Sequence, residues 1–141
     1  MRVYFDQIYE RIGWLFYAIA SEKEKLSVPN STKLLQIIDE QWKPTPNSDA
    51  MLQRHLLDYL KYGLRNAADN ASRPEEAFNR FRLYFELHSL PFGKDLRARI
   101  VATARSIGAA FNGNDLNSDF VSSLEKVFAQ NTPEKVIKQM S

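Results

Sequence analysis

The chain reads as an all-α protein, six to seven helices in a single compact bundle, and three observations carry that reading. Apolar residues recur at alternating steps of three and four in one segment after another, the spacing that lines one face of a helix. No stretch shows the period-two alternation that a half-buried strand needs over five or more residues. The pattern of residues 12–38, apolar helix, charged turn and second apolar helix, also returns ninety positions later. The two copies align without gaps, so that Ala20 falls on Ala110, Leu26 on Leu116, Leu34 on Leu124 and Ile37 on Val127. The bundle is therefore expected to contain a duplicated helix pair.

The first helix is expected near residues 3–21, where Phe5, Ile8, Ile12, Leu15, Phe16 and Ile19 form a stripe. Tyr9, Trp14 and Tyr17 add apolar surface off that stripe, which predicts a central helix covered on more than one side. Pro29, Asn30 and Ser31 are start signals for a second helix carrying Leu34, Leu35, Ile37, Ile38 and Trp42. It must stop before the prolines at 44 and 46. Ser48 can cap a third helix with Met51, Leu52, His55, Leu56, Tyr59 and Leu60 on one face, running to about Asn66.

The Ser72-Arg73-Pro74-Glu75 sequence reads as a capping box opening a fourth helix, with Ala77, Phe78, Phe81, Tyr84, Phe85 and His88 on one face and Pro91 closing it. Lys94 begins a fifth with the stripe Leu96, Ile100, Ala104, Ile107 and Phe111, ended by Asn112-Gly113-Asn114. Asn117 or Ser118 begins a sixth with Val121, Leu124, Val127 and Phe128. Thr132-Pro133-Glu134 starts a last turn or two carrying Val136, Ile137 and Met140.

With 141 residues, 44% of them hydrophobic, the chain fits one domain over 1–141 with one core, and no interdomain linker interrupts it. Nineteen Lys and Arg against seventeen Asp and Glu leave a formal charge of +2, too small to imply a nucleic-acid partner. Without cysteine there is no disulfide, zinc-thiolate site or thiol nucleophile, which fits a cytoplasmic protein. The apolar run from Ile12 to Ala20 is too short to span a bilayer, and Asp6 and Glu10 stand where a signal peptide would be uncharged.

No catalytic constellation is present in the sequence. His55 and His88 each lie alone on an aromatic-rich helix, without a metal-ligand partner four residues on. Phosphate loops, G-x-S-x-G and H-E-x-x-H are all absent. The arginines at 80, 82, 97, 99 and 105 interleave with Glu75, Glu76, Glu86 and Asp95 and read as a solvated face. The ring stripe of the fourth helix reads as core. An enzyme is not expected, and neither is a cofactor.

The two turns, ASEKEKLS at 20–27 and AFNGNDLN at 110–117, resemble the A-x-A-D-G-x-[LVI]-[ST] turn of the TerB-like (tellurite-resistance B, DjlA N-terminal) family, in which two such turns per domain are usual. The similarity extends to the aromatic LFYAIA before the first turn, the Leu after each turn and the LLQIIDEQW helix. It implies an all-helical domain acting through protein contacts, in a stress or envelope-linked setting, and a divalent cation held by the turn aspartates. Here Lys23 stands at the first aspartate position and Glu24 at the glycine, with Val28, Pro29 and Asn30 in place of Pro-Glu-Glu, and Gly113 takes the second aspartate's place. A hard cation wants several converging oxygens, and a lysine ammonium repels it. The chain is thus expected to be a metal-free interaction module with an unidentified protein partner. The alternatives are a weak divalent-metal site on Asp115, Asp119 and Asn112, and nucleic-acid binding through the fourth and fifth helices.

Overall fold

A computed structural model describes residues 5–23, 25–43, 50–70, 73–111 and 119–131, and everything below concerns those residues. They form six α-helices and no strand: α1 Phe5–Ala20, α2 Val28–Gln41, α3 Ala50–Asp69, α4 Pro74–Leu87, α5 Lys94–Phe111 and α6 Asp119–Gln130. The expected last turns after Thr132, and the Ser48 cap, lie outside the described residues.

The centre is α1, as its two-sided apolar pattern predicts. Ten of its sixteen residues are buried, including every one from Ile12 to Ala20, and it packs on α3, α4, α5 and α6. Phe16, Ile19 and Ile107 are fully enclosed, and the α4 rings Phe78, Phe81 and Phe85 belong to the same core. Trp14 is buried beneath the Arg80 guanidinium, 4.7 Å from its ring centroid, and its Nε1 has no hydrogen-bond partner among the described residues.

Two glycines set how closely α1 approaches α3. A Cβ on Gly13 would lie 2.1 Å from the Leu60 carbonyl oxygen, and one on Gly63 would lie 2.0 Å from that of Glu10. The two backbones are therefore in direct contact at this crossing, at a distance that no side chain permits. The crossing also corrects the expected face of α3. Leu60, Gly63, Leu64 and Ala67 are its buried positions, whereas Met51, Leu52 and His55 at its start are exposed, Met51 by 83%.

The starts of α2 and α4 are fixed locally, and the ends of α2 and α5 are met from elsewhere in the chain. Pro29 stands in the first turn of α2, as the start signal predicts, and Ser27 is its N-cap, the hydroxyl accepting from the Asn30 N–H. Arg73 rather than the expected Ser72 occupies the N-cap of α4, without a side-chain cap bond, and Pro74 takes the first helical position, while Ser72 itself lies outside the described residues. The Arg99 guanidinium donates to the carbonyls of Gln41 and Lys43 at the end of α2 and lies over the Trp42 ring. The Lys33 ammonium donates to the Ala110 carbonyl at the end of α5, 2.9 Å away.

Arg80 and Arg105 are exposed, as a solvated face requires, and Arg82 is half-exposed, whereas Arg97 and Arg99 turn inward and correct that expectation. Arg97 is buried, donating to the carbonyls of Phe92, Ser89 and Asn131 with its guanidinium against the rings of Phe85 and Phe128. It holds the α4–α5 turn against the end of α6, and its charge is met by carbonyl oxygens and ring faces. Arg99 is half-buried at the α2–α5 seam, and Arg105 pairs with Glu125 at 2.8 Å.

Candidate interaction groove

Between α4 and α6 the surface opens into a groove of about 440 Å³. The α4 periodicity that buries Phe78, Phe81 and Phe85 also sets Glu75, Asn79 and Arg82 along one wall, while Ser123 and Lys126 form the other. Phe78 and Phe120 stack in its floor at 5.0 Å between centroids and 20° between planes. One turn and more further on, Phe85 and Phe81 meet Phe128 at 4.8 and 6.3 Å. These rings act as spacers: they seal the inner edge of the α4–α6 contact and keep the helices too far apart to close the outer edge.

The near end of α6 is tied to the first turn. The Glu22 carboxylate accepts from the Phe120 N–H at 3.0 Å, so an acid ninety-eight positions earlier in the chain satisfies one of the free amides that open α6. The first turn therefore contributes a helix cap to the second helix pair. Its neighbour Lys23 is exposed, and Glu24 lies outside the described residues.

Of the three residues named for a weak cation site, Asp119 is described. It is exposed in the first turn of α6, where a carboxylate complements the helix dipole. Asn112 and Asp115 lie outside the described residues. No cluster of three His, Asp or Glu side chains able to hold a metal ion occurs among the described residues. The histidines sit on different helices and meet different rings. His55 sets its ring edge-on to Tyr59 at 5.0 Å near the exposed start of α3, and His88 closes α4 with its N–H on the Tyr84 carbonyl and its ring 4.8 Å from that of Tyr84.

Sequence reasoning placed Phe78 in the core and did not single out Phe120. The signal was present, because α6 carries apolar residues at 120, 121, 124, 127 and 128, more than one stripe needs. No helix among the described residues is long and apolar enough to cross a membrane. No protein-family model, curated protein or solved structure matches the chain.

Proposed function

We propose that this chain is a non-enzymatic helical interaction module that receives a protein partner in the α4–α6 groove. The observation that carries the reading is the groove's construction, an aromatic floor between polar walls, which is the composition of a protein-binding cleft. His55 and His88 sit on separate helices with aromatic neighbours, an arrangement that supplies no acid–base pair.

The same reading takes the chain as a divergent TerB-like domain made of two copies of one helix pair. It is supported by the ninety-residue repeat of the apolar pattern, with Leu34 matched to Leu124 and Ile37 to Val127, and by α2 packing on α5 as α6 packs on α1, although α5 packs on α6 more closely than α1 does on α2. Through that resemblance, the partner is to be sought in stress- or envelope-linked cytoplasmic assemblies. A photo-crosslinking amino acid placed at the exposed Asn79 of α4, with a control at the exposed Arg65 of α3, tests the site in the native cell. The account expects a discrete adduct from position 79 and not from 65. Equal adducts from both positions, or none at 79, would remove the groove as the site.

A further inference from the structure

The charge along the groove is ordered, and that order identifies what the groove selects. Phe78 meets Phe120 at one level, and Phe81 and Phe85 meet Phe128 further along both helices, so α4 and α6 run in the same direction. Glu75 therefore lies at the end where the helices begin, next to the stacked rings, while Arg82 and Lys126 lie together towards the other end. The acids near these two cations do little to neutralise them. Glu125 is turned to Arg105 at 2.8 Å, and Glu86 stands 3.9 Å from Arg82, a loose pair one helical turn apart between half-exposed side chains, which contributes little.

From the ring pair to the basic pair is four residues along α4 and six along α6, or about 6–9 Å at a helical rise. That separation corresponds to side chains one to two turns apart on a bound helix, with the length of the Arg82 and Lys126 side chains bridging the difference. Resting on the reading of the groove as a protein-binding site, we infer that its ligand is an acidic amphipathic helix. A large apolar side chain of that helix lies on the Phe78–Phe120 rings, and a carboxylate one turn away meets Arg82 and Lys126. A basic helix in the same orientation would place its cations against those two, and turned round it would meet Glu75 alone, so it binds more weakly.

The probes are three fluorescein-labelled, covalently stapled helical peptides. One carries Leu-x-x-x-Glu repeats, one has Lys for each Glu, and one has Ala for each Leu. Fluorescence anisotropy against the full chain should give the Glu peptide a Kd below about 100 µM, weakened by salt, with the other two at least about tenfold weaker. Lys126→Glu at an exposed position and Arg82→Glu at a half-exposed one should each lower affinity for the Glu peptide about tenfold and reduce its preference over the Lys peptide, with the melting temperature of the Lys126→Glu chain unchanged. Equal binding of the Glu and Lys peptides, indifference to both charge reversals, or no binding of the Glu peptide would overturn the inference. If the adduct at position 79 persists in the Lys126→Glu chain while the peptides are not discriminated, the groove remains an interaction site and the acidic ligand is wrong.

Discussion

Two helix contacts in this molecule are built on opposite principles. Where α1 crosses α3, Gly13 and Gly63 bring the backbones together so closely that neither position has room for a single carbon more. Where α4 lies beside α6, stacked and tilted phenyl rings hold the helices apart, and the outer edge stays open as a groove. The first contact offers no space for a ligand and fixes the frame. The second sacrifices apolar burial along its outer edge and gains a recessed surface. Closeness between helices here is a matter of side-chain size at the crossing, and so is the recess that the proposed partner would occupy.

The difference is broken most forcefully from the closed side. Phe16, fully enclosed in α1 with its ring 6.1 Å from that of Trp42, should cost about 3 to 5 kcal/mol when replaced by Ala, read by chemical denaturation. A loss under about 1 kcal/mol would show that the centre of the core is elsewhere. Gly13→Ala adds a methyl where a carbonyl oxygen and an amide nitrogen stand at 2.1 and 2.6 Å, so the helices must separate. Alanine recovers about 1 kcal/mol of helix propensity, and overpacking against rigid backbone costs about 3, so the net effect is destabilising by about 2 kcal/mol. A stabilised Gly13→Ala chain would mean that the crossing is looser than described.

These effects separate what was legible in the sequence from what was not. The stripes of α1 and α5 were, because burial in them repeats every three or four residues and each residue's fate follows from its neighbours along the helix. Gly13 gave no such signal. A glycine inside a helical pattern reads as a small local penalty, and its reason lies in Gly63, fifty positions away. Met51 and Leu52 fitted the α3 period yet face solvent, because the glycine crossing decides which part of α3 meets α1. Arg97 likewise read as surface, since an arginine's sequence context does not say which three carbonyls it will meet. The groove depends on the lateral placing of two helices forty residues apart, which no local pattern encodes.

The link between the two helix pairs gives a smaller effect. Glu22→Ala removes the carboxylate that accepts from the Phe120 N–H, and should cost about 1 kcal/mol, with faster amide exchange confined to the first turn of α6. An effect spread over the whole chain would contradict a local cap. Alkaline pH tests the closed side more gently. Burial pushes the phenols of Tyr9, Tyr17 and Tyr84 up, and for Tyr9 and Tyr84 the guanidinium groups of Arg99 and Arg11 pull the other way. The unfolded chain then releases these protons first, so stability present below about pH 10 declines as pH rises through that range. Tyr9→Phe should flatten part of that decline, and a decline identical to that of the unmodified chain would exclude Tyr9 as a contributor.

The central claim is that the open contact is where the molecule binds and the closed one is where it is held together. Ser123 lies half-buried in the α6 wall of the groove, so Ser123→Trp fills the groove without entering the core. Melting temperature and recovery of the partner crosslinked at position 79 should be measured side by side on the unmodified and Ser123→Trp chains. The account predicts melting within the shift that about 0.5 kcal/mol produces, together with loss of the partner. Full recovery of the partner by a stably folded Ser123→Trp chain would contradict it.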